Sequence, residues 1–145
     1  MTREGDPVLR YSFLPSDRHP LILMLGETWD LRILSRALSD FSRFSAGIIL
    51  NETVGFSSSD TKITLTGLSG PPGMHAISLT DKAFLWSLDA ATAEYFAELV
   101  DQLAAPERKS GSEMLMCDVI GEIPIKVSRG EFTDNFLLIG ERIRS

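Results

Sequence analysis

The sequence predicts an α+β fold: a single domain with a mostly antiparallel β-sheet and two amphipathic helices, about 28–44 and 89–104, packed on one face. Three observations carry this. β-rich runs come in groups, without a helix between each successive pair, so the alternating pattern of a parallel sheet is missing. Two segments change from a two-residue to a 3.6-residue apolar period. Proline, glycine and aspartate clusters separate the groups cleanly.

Residues 1–7 read as a flexible N-terminal tail and residues 8–145 as the domain. "VLRYSFL", Val8 to Leu14, has strand content. "PSDRHP" turns the chain, and "LILMLG" is a short apolar run with the signature of a strand buried on both faces. Thr28 is placed to cap the first helix. Leu31, Leu34, Leu38 and Phe41 form its apolar stripe, widened by Ile33, Ala37 and Phe44, while Asp30, Arg32, Ser35, Arg36, Ser39, Asp40 and Arg43 lie off it.

"AGIILNETVGF" is the next strand, followed by "TKITLTGL", where Ile63 and Leu65 alternate with Lys62 and Thr64. "SGPPG" breaks the chain. "MHAISLTDKAFLWSL" reads as two strands around Thr80-Asp81-Lys82. Asp89 caps the second helix, whose face is Tyr95, Phe96, Leu99, Val100 and Leu103, and Pro106 ends it.

In "MCDVIGEIPIKV", Gly121-Glu122 stands between two β-rich runs and suits a two-residue II′ hairpin loop. That register opposes Ile120 to Ile123, Asp118 to Ile125 and Met116 to Val127. It makes Asp118 the one carboxylate on an apolar face, sends Ser128 outward, and places Pro124 on an edge strand or on a strand's unpaired side. Arg129-Gly130-Glu131 then forms an exposed turn. "FLLIGERIRS" closes the chain as a short strand and a polar tail.

The chain of 145 residues is long enough to bury a core without a metal or disulfide. Its net charge of −6 argues against nucleic acid and anionic membrane as partners. The one cysteine, Cys117, lies in an apolar run and reads as a shielded core thiol; with no signal pattern at the N-terminus, the expected compartment is the cytoplasm.

No motif specifies chemistry. His19 and His75 lack neighbours at metal-ligand spacing, and no Gly-x-Ser-x-Gly elbow or phosphate loop occurs, so neither metal nor cofactor is expected. Four Gly-Glu dipeptides each follow or end an apolar run, which is where turns are needed. Asp118 and His75 are the weak catalytic pair, because a desolvated carboxylate is what a general acid requires. Arg129 and Glu131 are the candidate binding residues, since their turn offers both charge signs to a partner. The function expected is therefore a small, acidic, soluble, non-enzymatic module that binds another protein, of inhibitor, immunity or chaperone type. A small enzyme using Asp118 and His75 is the alternative, and a homodimer joined through the Pro124-bearing edge is a third reading.

Overall fold

The computed structural model describes residues 6–16, 19–108 and 110–130. Among these residues nine strands, two α-helices and, between β3 and β4, one 3-10 turn (Leu50–Glu52) follow in the order β1 (Leu9–Leu14), β2 (Leu21–Leu25), α1 (Thr28–Phe44), β3 (Ile48–Ile49), β4 (Phe56–Ser57), β5 (Lys62–Thr66), β6 (Gly73–Ser78), β7 (Ala83–Ser87), α2 (Ala90–Ala104), β8 (Gly111–Leu115) and β9 (Ile125–Arg129). The class is α+β, as the sequence predicts. The strands form two sheets, however, not one. Five run in the order β4-β1-β2-β9-β8 and four in the order β3-β5-β7-β6.

Both sheets are mixed. β1–β2, β3–β5, β6–β7 and β8–β9 are antiparallel, whereas β1–β4, β2–β9 and β5–β7 are parallel. The antiparallel pairs β1–β2, β6–β7 and β8–β9 join strands that follow one another in the chain. The parallel ones join strands far apart in it, where no local turn signals the pairing.

The helices pack on each other and on the five-stranded sheet, α1 against β1 and α2 against β8 and β9. α1 buries Leu31, Leu34, Leu38 and Phe41. Phe44 does not join them and is exposed. Its cap is not Thr28: Glu27 precedes the helix, and the Asp30 carboxylate accepts the Glu27 N–H at 2.8 Å in a reciprocal capping box. The other Asp30 oxygen accepts the Val8 N–H at 2.8 Å, which ties the start of β1 to the start of α1. Asp89 caps α2 by accepting the Thr92 N–H at 2.7 Å.

One core cluster takes residues from both sheets and both helices. Phe13 and Phe84 meet across the sheets with ring centroids 4.8 Å apart, and Trp86 lies 6.4 Å from Phe96 of α2. Ile22 to Leu25 are all buried, in keeping with a strand covered on both faces.

The C-terminal hairpin departs from its expected register. The ladder pairs Leu115 with Ile125 and Gly111 with Arg129, so the strands stop at Leu115 and resume at Ile125. Between them, the Glu122 carboxylate accepts the N–H groups of Cys117 at 2.7 Å and Asp118 at 2.8 Å. The Glu122 N–H bonds Val119 O at 3.2 Å, and Gly121 takes φ +85°, as a left-handed turn position requires. The Ile123 N–H then donates to Met74 O of β6 at 2.8 Å. The turn exists, but its glutamate and its contact with the second sheet turn it away from the ladder.

β9 lies inside its sheet, between β2 and β8, so Pro124 does not mark an edge. Pro124 precedes the strand, and its carbonyl accepts the Ile22 N–H at 3.0 Å. The strand that follows Pro124 thus has no free edge in this sheet. Glu131 and "FLLIGERIRS" fall outside the described residues.

Candidate functional site

Of the residues singled out from sequence, the described ones, Asp118, His75 and Arg129, do not gather into one site. Asp118 is exposed, with φ +60° and its N–H held by Glu122. The ladder that would have put it on an apolar face ends three residues earlier, so the desolvation argument loses its premise. His75 lies on β6, half-buried, with Nε2 2.9 Å from Pro72 O. No hydrogen bond or ion pair joins the two among the described residues.

Arg129 is not exposed either. It is 8% accessible. Its guanidinium donates to Leu103 O at 3.0 Å and Ala105 O at 2.9 Å, and Nε lies 3.5 Å from Glu27 Oε1. Leu103 belongs to the last turn of α2, which has no intrahelical donor left for its carbonyl; Ala105 follows the helix, and its carbonyl also accepts the Arg108 N–H at 3.0 Å. Ser128 is likewise buried, because β9 is covered on both faces. Cys117 is half-buried against the core, and burial first, then the Glu122 charge, pushes its thiol up from 9.0 to about 11.

A different surface collects features that point to recognition. Trp29, Arg32, Arg36, Asp40 and Arg43 recur at three- and four-residue spacing, opposite the buried stripe of α1. Trp29 is 69% exposed and Val54, in the segment before β4, is 87% exposed. Between them lies a groove of about 380 Å³, lined by Pro7, Trp29, Arg32, Ile33, Arg36, Ala37, Asp40, Thr53, Val54 and Phe56. Gly55, at φ +99°, lets the backbone pass beneath Ile33, where a β-carbon would lie 3.1 Å from the Ile33 side chain. Arg32 carries its guanidinium 5.6 Å from the Trp29 ring.

A second groove, of about 350 Å³, continues from the first. It shares Arg32, Arg36 and Asp40 and adds Ser35, Ser39 and Arg43 of α1 and Asp101 of α2. Of the six described arginines, three are paired: Arg10 with Asp30, Arg108 with Glu113 and Arg129 with Glu27. The other three, Arg32, Arg36 and Arg43, all lie on this face. None of them makes an ion pair or hydrogen bond among the described residues, and Arg32 Nε is buried without a partner.

Sequence reading passed over this surface because charged residues off an apolar stripe normally face water. Trp29, a large aromatic outside the stripe with an arginine three positions on, was the signal available.

Among the described residues no helix is long and apolar enough to cross a membrane, and no group of three metal-ligating side chains gathers. Compared with models of protein families, with curated proteins and with solved structures, the chain gives no match in any of the three.

Proposed function

We propose that the chain is a protein-recognition module and that its recognition surface is the outward face of α1 together with residues 53–56. The observation that carries this is the pairing of an exposed Trp29 with arginines that have no ion-pair or hydrogen-bond partner among the described residues. Tryptophan and arginine dominate the energetics of protein interfaces, because each brings large contact area and directional polar groups at once. The groove between them has a floor of Ile33 and Phe56, so an incoming side chain is desolvated there. The rest of α1 is committed to the core, which makes this face rigid and keeps the ordering cost of binding low.

A photo-crosslinking side chain placed at Val54 of the full chain, in its source cells, tests the proposal. A discrete adduct is expected, lost when Trp29→Ala is added. The same crosslinker at Leu79, exposed on the hairpin between β6 and β7, is expected to give none of it. Absence of an adduct at Val54, or the same products from both positions, overturns the proposal.

A further inference from the structure

We infer that the partner at this face is a protein segment that is locally acidic and carries one aliphatic or aromatic anchor, an inference that rests on the α1 recognition surface proposed above. The charge argument starts from a contrast. Arg10, Arg108 and Arg129 each lie within 4.0 Å of a carboxylate of this chain, while Arg32, Arg36 and Arg43 have none among the described residues. A guanidinium presents paired N–H donors in a plane that matches a carboxylate, so these three groups select carboxylates rather than neutral acceptors.

Spacing narrows the ligand. Arg32 and Arg43 are eleven positions apart on one helix, about 16 Å at the α-helical rise. An extended segment covers that span in about five residues. Carboxylates four to six positions apart therefore reach both ends. Asp40 lies between, in both grooves, and disfavours a third carboxylate at the centre; a hydroxyl or amide donor suits that place. The Trp29 end is apolar, with Ile33 and Val54 around it, and takes the anchor.

The whole chain is net negative at −6, which slows approach of an acidic partner. That repulsion is screened beyond about 8 Å at physiological salt, whereas the arginine contacts form at hydrogen-bond distance, well inside that length. The resulting complex is expected to associate slowly and to be held by contacts, not by steering.

The probe is a synthetic twelve-residue peptide with one leucine followed by two glutamates five positions apart, titrated into the full chain while backbone amide and tryptophan indole NMR signals are followed. Signals from α1 and residues 53–56 are expected to shift, with a dissociation constant that weakens at least tenfold in Arg36→Glu and by a similar factor when both glutamates become glutamine. Leu79→Ser leaves it unchanged. Arg36 is exposed, so the variant is expected to keep the wild-type fold, which its remaining spectrum reports. Equal binding of the glutamine peptide, equal binding by Arg36→Glu, or tighter binding of a single-stranded oligonucleotide at the same face overturns the acidic-segment inference. The two readings separate cleanly. A Val54 adduct in cells with no response to the acidic peptide sinks the inference about the partner alone, and absence of any Val54 adduct sinks the surface itself.

Discussion

Arg129 of β9 reaches back to the carbonyl of Leu103, 26 positions earlier, and closes the C-terminal end of α2 with the same nitrogen that bonds Ala105 O. A helix end buried against a sheet leaves its last carbonyls without donors. Here a neighbouring strand supplies them. Ala105 O keeps the Arg108 N–H at 3.0 Å, so the substitution strands one buried acceptor, Leu103 O; Arg129→Ala is expected to lose about 1–3 kcal/mol of stability. Glu27, mostly exposed, adds little through its ion pair, about 0–1 kcal/mol. Urea denaturation of Arg129→Ala checks the first figure. A loss within the noise of surface substitutions means that the contact is incidental.

Glu122 is expected to matter more than its place in a turn suggests. Its two oxygens hold two backbone N–H groups, and glutamine can accept with only one of its two terminal atoms. Glu122→Gln should cost about 1 kcal/mol. Gly121→Val should cost about 1–2 kcal/mol from positive φ alone, since no atom lies within 4 Å of an added β-carbon. Gly73→Ala should be the worst of the three, because its β-carbon would collide with the Glu122 carboxylate. Amide exchange at Cys117 and Asp118 reports the loop directly and should accelerate in Glu122→Gln.

Cys117 should alkylate slowly at neutral pH. Raising the thiol from 9.0 to about 11 cuts the thiolate fraction roughly a hundredfold relative to the unfolded chain. The native protein then holds the proton that the unfolded chain releases between those two values. Stability from this group is therefore complete below pH 9 and lost as pH rises to about 11. Cys117→Ser should flatten that part of the stability curve. Labelling as fast as in denaturant would contradict the half-buried placement.

Leu38 sits at the centre of the buried stripe of α1 and is fully inaccessible. Leu38→Ala is expected to cost about 2–5 kcal/mol, read by chemical denaturation. A loss below about 0.5 kcal/mol would place the residue at the surface.

Both helices were legible in the sequence because their determinants are local: the stripe Leu31, Leu34, Leu38 and Phe41, and the Asp89 cap, lie within a few turns of one another. The adjacent β6–β7 pair was legible for the same reason. The sheet order was not, since Ile22 meets Ile125 and Leu9 meets Phe56 with no intervening turn to fix the register. The loop from 116 to 124 misled because Gly121-Glu122 does make a turn, and only the long-range bond from Ile123 to Met74 O shows that the turn leaves the ladder. Arg129 misled because an arginine beside a glycine reads as solvent-facing unless the helix end it closes is known. The α1 groove depends on Val54 and Gly55 coming beneath Ile33, a juxtaposition that spacing along one helix cannot reveal.

The parallel contact of β2 with β9 has a consequence for how the chain is made. β2 ends at Leu25 and its neighbour begins at Ile125, so the centre of the five-stranded sheet cannot close until nearly all of the described chain has been synthesised. At about 5–20 residues per second, the edge of "LILML" waits about 5–20 s for its partner. Through that interval it presents an unpaired, apolar strand, the kind of edge on which other chains nucleate. Slowing translation between residues 25 and 125 is therefore expected to lower soluble yield without changing the native fold, read as the soluble fraction of otherwise identical chains.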